Sequence, residues 1–308
     1  MKKYLPEGYT NNAPQMQNRA FSLNTLRDAI YNREPLELRA LRCDSEHNLH
    51  FKLGSIHGFM PHDECALGVA DGSVRDIAVI SRVNKLTDFY ITELTTDENG
   101  RPVALLSRTQ YQKDCLKNYI STLKKGDIIP ARTTHLEPFG AFCDIGAGIT
   151  ALLPIDNISV SRIPHPSARF SAGDHIRAVV KDIADSRITL SLKELLGTWE
   201  ENAALFKAGE TVTGIIRSTE SYGAFVELTP NLAGLAESGS DAKAGDSASV
   251  FIKSINPLLM KIKLIIVDAD SDCAPRGKLR YFVEDGHVDF WQYSPSCAIK
   301  NVFTDFTK

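Results

Sequence analysis

The chain has 308 residues, 43% hydrophobic and 24% charged, with a formal net charge of −3 and a pI of about 6.3. This composition is that of an ordinary soluble globular protein, and it excludes one that holds duplex nucleic acid mainly by bulk neutralisation of phosphates. No apolar run approaches the roughly 20 residues needed to cross a bilayer, so no membrane partner is expected. The start, MKKYLPEGYTNNAP, lacks the apolar stretch of a signal peptide. Six cysteines (Cys43, Cys65, Cys115, Cys143, Cys273, Cys297) lie far apart without a CxxC pair, which predicts free thiols in a reducing cytoplasm.

Residues 1–35 read as a polar lead followed by a short helix. Ser22 is the N-cap, Leu23, Leu26 and Ile30 share a face, and Pro35 ends the helix near Glu34. A first β-rich module spans 36–108, with strands in LELRALRCD, HNLHFKLG, RDIAVISRVN, FYITEL and PVALLSR and a turn at Asp97-Glu98-Asn99-Gly100. Its Gly58-Phe59-Met60-Pro61 has a counterpart in Ala151-Leu152-Leu153-Pro154 of the next module. Residues 109–123 are helical, with Tyr111, Cys115, Leu116 and Tyr119 recurring at helical spacing.

A second module spans 124–193 and a third 207–268. In RITLSLK, alternation sends Ile188, Leu190 and Leu192 inward and Arg187, Thr189 and Ser191 outward. Between the modules, Thr198 and Glu201 form a capping box that opens a short helix. The remaining segment, 269–308, contains LRYFVEDGHVDFWQYS, where Asp285-Gly286 between apolar runs signals a hairpin. Its Tyr281, Phe282, Trp291 and Tyr293 are expected to pack that hairpin onto the third module, because an isolated hairpin is only marginally stable.

The second and third modules repeat one signature, Phe139-Gly140-Ala141-Phe142 and Tyr222-Gly223-Ala224-Phe225. Each copy follows a Gly-Asp or Gly-Glu start (Gly126-Asp127, Gly209-Glu210) and precedes a second Gly-Asp (Gly173-Asp174, Gly245-Asp246). Alternation puts Ala141 and Cys143 opposite Phe142, so the two phenylalanines cannot both be core residues. Two aromatics across a Gly-Ala step on a β-surface form a stacking platform for bases. Short strands in units of this length fit the OB-fold, so the expected class is all-β with short helical linkers: three tandem OB barrels plus a C-terminal hairpin.

KKGDIIPARTTHLEPFGAFCDIGAGITALLPIDNIS and FSAGDHIRAVVKDIADSRITLSLK resemble an S1-type RNA-binding domain of the ribosomal protein S1 family. SYGAFVEL carries the resemblance into the third module, GTWEENAALF resembles the linker between tandem S1 domains, and the first module is similar only in outline. The whole is similar to the shorter, Gram-positive type of that family. The resemblance implies RNA binding through Phe139, Phe142, Tyr222 and Phe225. It places Pro154 and Ala236 where the family has a loop His, and Ala184 where it has an Asp. His135 or His165 then supplies an imidazole to the second module. Arg132, Arg177, Lys181 and Arg187 on that module, and Arg217, Lys253, Lys261 and Lys263 on the third, are candidate phosphate contacts.

Cys43, His47, His50, His57, His62 and Cys65 crowd the first module but match no recognised zinc spacing, so no metal is expected. There is no GxxxxGK[ST], GxSxG or HExxH, so neither an enzyme, a cofactor nor a small-molecule substrate is expected. The leading expectation is a non-catalytic, cytoplasmic protein that binds single-stranded messenger RNA at the small ribosomal subunit. A protein–protein adaptor with weakened RNA binding and an accessory subunit of an RNA-processing or decay complex are the alternatives.

Overall fold

The computed structural model describes residues 4–9, 21–184, 187–237, 243–270 and 279–308. Contacts divide the chain into one unit of Met1–Leu123 with Asp144–Thr150, and a second of Lys124–Cys143 with Ala151–Lys308. No described helix is long and apolar enough to cross a membrane.

In the first unit, α1 (Leu23–Tyr31) opens on Ser22, whose hydroxyl accepts from Thr25 N while Thr25 Oγ1 accepts from Ser22 N. Leu26 and Ala29 are its buried residues. The strands are β1 (Leu36–Arg39), β2 (Arg42–Cys43), β3 (Leu49–Leu53), β4 (Ile56–Met60), β5 (Leu86–Thr96) and β6 (Pro102–Ser107). They form a six-stranded sheet ordered β1-β5-β6-β4-β3-β2, not a closed five-stranded barrel. Its two edge strands are pieces of one run, interrupted only by Ala40 and Leu41, so a break in the first strand accounts for the open ladder. The core is aliphatic and aromatic, centred on Leu36, Leu49, Phe51, Leu53, Met60, Phe89 and Leu106. Asp97 makes the expected turn, its Oδ1 accepting from Asn99 N and Arg101 N.

RDIAVISRVN is not a strand. Ile77–Ile80 form one helical turn, α2, with Val79 buried and Ile77 and Ile80 exposed. Its consecutive apolar residues lack true period-2 alternation, and one buried side chain anchors it. The helix expected over 109–123 is α3 (Arg108–Asn118) followed by a short 3₁₀ turn (Ile120–Thr122). Tyr111 and Cys115 from α3 join Tyr4, Tyr90, Tyr119 and Ala147 in a small second core. Arg108 is fully buried, which is tolerable because the Glu7 carboxylate accepts from its Nε at 2.7 Å.

The second unit contains two closed barrels. One consists of β7 (Ile128–Glu137), β8 (Gly140–Asp144), β9 (Thr150–Pro154), β10 (His175–Ala184) and β11 (Arg187–Ser191) in the order β10-β11-β9-β8-β7. The other consists of β12 (Thr211–Glu220), β13 (Gly223–Thr229), β14 (Leu232–Ala236), β15 (Ser247–Asn256) and β16 (Lys261–Asp270) in the order β12-β13-β14-β16-β15. In each, the third strand pairs parallel with the fifth, and the same parallel pairing joins β4 to β6 in the first unit. GFMP and ALLP are therefore topological equivalents.

Helix α4 (Trp199–Ala203) links the barrels and carries the Thr198/Glu201 capping box in full. Ser191, expected to face out, is fully buried, because Asn157 O and the Glu194 carboxylate cover its hydroxyl. The C-terminal hairpin exists, but pairs β17 (Phe290–Gln292) with β18 (Phe303–Asp305) and does not turn at Asp285-Gly286. That dipeptide makes a bend in an irregular strap along the second barrel, where Gly286 O accepts from Ile128 N and Val288 N donates to Gly126 O. Barrel hydrogen bonds thus replace the local pairing that the Asp-Gly signal favours. Trp291 and Tyr293 are buried in the third module's core, as expected, whereas Tyr281 and Phe282 sit on the second barrel and the linker.

Candidate nucleic-acid interface

The FGAF step works by close backbone approach. A Cβ on Gly140 would stand 2.5 Å from Leu153 O, and one on Gly223 would stand 2.3 Å from Ala236 O. Only glycine permits that contact, and it holds the first aromatic at the barrel rim and the second on the β-face. Phe139 is 55% exposed and meets the half-buried Phe142 edge-on, with centroids 6.0 Å apart at 87°. Tyr222 is 62% exposed and meets the exposed Phe225 in the same way, at 6.3 Å and 89°. In each pair the ring at the rim is exposed and stands perpendicular to its partner, a geometry that suits stacking of a planar base.

Register extends the platform across the third barrel. Phe225 pairs with Ser218 on one side and with Leu235 on the other, and Leu235 pairs with Lys263. Strands about 4.8 Å apart put Lys263 about 10 Å from Phe225 on the outward face. In the second barrel Leu152 pairs with Thr189, so Thr189 takes the place of Lys263, and Arg187 that of Lys261. Leu235 and Leu152 escaped sequence reasoning. Their alternation with buried Ala236 and Leu153 was the signal for an outward apolar position.

Residues 122–193 match the family described as the S1 RNA binding domain. That segment of the chain is similar to an S1 domain. The chain is 29% identical over 247 residues to the small ribosomal subunit protein bS1 homolog of Bacillus cereus, covering 75% of this chain and 63% of that protein. It is 31% identical over 163 residues to the small ribosomal subunit protein bS1 of Leuconostoc lactis, covering 48% of this chain and 38% of that protein. The chain thus spans less than two thirds of the length of these relatives. A Streptococcus pneumoniae multidomain protein with nucleic acid binding domains overlaps 76% of this chain and 73% of its own at 12% identity, with a TM-score of 0.25 that supports no structural argument.

Within the S1 domain the candidate basic residues divide. Arg187 is exposed at the start of β11. Arg132 is half-buried and donates from Nε to Gly173 O. Arg177 and Lys181 face the C-terminal segment and its neighbours. Arg177 pairs with Asp285 at 3.2 Å, and Lys181 Nζ donates to Asn157 Oδ1 at 2.6 Å in a cleft also lined by Thr304 and Phe306. Burial lowers the Lys181 pKa. In the third barrel Arg217, 12% exposed, makes a two-point contact with Glu227 at 2.8 and 2.9 Å, beside Arg169 on the same carboxylate. It neutralises a buried acid and is not presented to a ligand. Lys261 and Lys263 are exposed, and Lys253 pairs with Glu237 at 3.4 Å.

The imidazole positions also resolve. His135 stacks on Phe142 with centroids 6.5 Å apart and is paired with Glu137 at 2.6 Å, so it extends the platform. His165 instead caps a 3₁₀ turn, its Nδ1 accepting from Ser167 N. Since Leu153 and Ala236 occupy equivalent places against Gly140 and Gly223, the counterpart of Pro154 is the exposed Glu237, not the buried Ala236.

The Cys/His cluster of the first unit separates into parts. His50 bridges Asp44 Oδ2 and His57 Nε2 at 2.8 and 2.9 Å. Cys65 is buried and donates to backbone carbonyls, and burial pushes its thiol up to about 12. His47 and His62 converge on Asp76, a carboxylate outside the sequence cluster.

Proposed function

We propose that this protein binds single-stranded RNA on the aromatic-bearing faces of its second and third modules, and that it acts without catalysis in translation, at the small ribosomal subunit in the cytoplasm. The recurrence of a perpendicular aromatic pair with an exposed rim ring at the same barrel position carries this reading. Aromatic stacking tolerates any base, which suits messenger RNA of varied sequence. The match to the S1 RNA binding domain and the likeness to bS1 proteins support it. The working boundaries are 36–108 for the divergent module, 124–193 and 207–268 for the RNA-binding modules, and 269–308 for the extension. The platform residues are Phe139, Phe142 and His135, then Tyr222 and Phe225, with Arg187, Lys261 and Lys263 as phosphate contacts and Arg132 at the margin. Two tethered sites of modest strength gain avidity from their high effective concentration.

Fluorescence anisotropy with a labelled single-stranded oligoribonucleotide tests the binding. Parent protein should bind, and a variant lacking all four platform aromatics should not. Cosedimentation with small ribosomal subunits tests the location, and recovery with a nuclease complex instead would move the protein to RNA decay.

A further inference from the structure

We infer that the first unit holds a divalent transition-metal ion of the Zn2+ class between His47, His62 and Asp76. His47 lies on the turn before β3, His62 in the 3₁₀ turn after β4, and Asp76 immediately before α2. Asp76 Oδ1 stands 2.9 Å from His62 Nε2, and its Oδ2 stands 3.3 Å from His47 Nδ1. A tetrahedral ion with bonds of about 2.0–2.2 Å separates its ligand atoms by about 3.3–3.6 Å, so small side-chain adjustments admit the ion. The three ligand atoms already lie within 4.8 Å of one another.

Two further features distinguish this trio from a chance ion pair. The other nitrogen of His62, Nδ1, faces Asp63 Oδ1 at 3.2 Å. That is the carboxylate–imidazole–metal arrangement that directs the opposite nitrogen toward an ion. The segments carrying the two imidazoles are also held together by the Asn48 side chain. Asn48, next to His47, accepts from His62 N at 2.9 Å and is itself tied to Asp44. His47 adopts φ 64°, in the left-handed region that a non-glycine residue enters only when its surroundings impose it. Two imidazoles and one carboxylate, all partly exposed, make an N2O set with a free fourth position for water or a partner's side chain. Such a set suits Zn2+, Co2+ or Ni2+ better than Mg2+ or Ca2+, which prefer all-oxygen shells.

Full-length protein stripped with chelator and titrated with Zn2+ by calorimetry, and with Co2+ by visible absorption, tests the site. One equivalent should bind with micromolar or tighter affinity, and Co2+ should give d–d bands of a low-coordinate N/O site. His62→Ala and Asp76→Asn should each weaken binding at least tenfold. Asp63→Asn should weaken it about 10–100-fold, as loss of an outer carboxylate does, while His135→Ala, on the RNA platform, should leave it unchanged. Melting curves with and without Zn2+ keep the test valid if a variant is less stable, because the zinc-dependent rise in Tm must disappear with the ligands. Failure of the parent to bind Zn2+ or Co2+ below 100 micromolar, or equal binding by His62→Ala and parent, overturns the inference and leaves a surface ion-pair cluster.

Discussion

At the scale of single residues, the proposed RNA binding rests on two rings and one missing side chain per barrel. Replacing Phe139 and Phe142 together with alanine should weaken single-stranded RNA binding by about 2–6 kcal/mol, since each stacked base contributes about 1–3 kcal/mol. Anisotropy titration at fixed salt measures it, and an unchanged Kd in a folded double variant would move the contact elsewhere. The glycine between the rings is equally constrained. Gly223→Ala forces a methyl within 2.3 Å of Ala236 O at φ 150°, so β13 must move off β14. A loss of about 1–3 kcal/mol is expected from such overpacking, read as a lower Tm of the third barrel together with weaker RNA binding. The aromatic pairs were legible in the sequence because alternation and the Gly-Ala step are local. The commitment of Arg217 was not, because its partner Glu227 also answers to Arg169, 58 positions away.

At the scale of elements, the C-terminal strap is the least expected part. Its local Asp-Gly signal is overridden by hydrogen bonds to β7, and its Asp285 pairs with Arg177, a residue whose place on the barrel strands made it a candidate for RNA. His287 fastens the strap, its Nδ1 2.7 Å from Asp127 and its Nε2 3.2 Å from Asp289. The hydrogen bond to Asp127, then the charges of Asp127 and Asp289, raise its pKa in the folded state. A raised folded value means that the contribution to stability is complete below the ordinary histidine value of about 6.5. It is lost as pH climbs through the folded value. Hydrogen exchange of the Val288 and Ile128 amides should therefore accelerate as pH rises through that window, after correction for intrinsic rates. In His287→Gln that additional pH dependence should vanish, and its persistence would assign the effect to another group.

At the scale of the whole molecule, net charge and site charge act differently. With a net charge of −3 there is little bulk attraction for RNA, so salt dependence must come from local contacts. Arg187, Lys261 and Lys263 remain exposed on the two barrels; as the three proposed phosphate contacts they should produce a slope of log K against log salt of about −2, from about −0.7 per contact on single strands. Arg187→Ala should make the slope shallower by about 0.7 and weaken all sequences alike. Arg217→Ala should leave the slope unchanged and lower Tm instead. A flat parent slope would mean that stacking alone holds the strand.

The sequence by itself determined the β-barrel class, the repeat, the Thr198/Glu201 capping box and the paired aromatics, because each arises from spacings of a few residues that local geometry enforces. Tertiary structure alone decided which cations stay free, that the Asp-Gly segment becomes a strap and that the first sheet stays open. It alone gathered His47, His62 and Asp76 at one point. Those outcomes depend on charges and hydrogen-bond partners brought together from distant parts of the chain, where buried acids claim nearby bases before any ligand arrives.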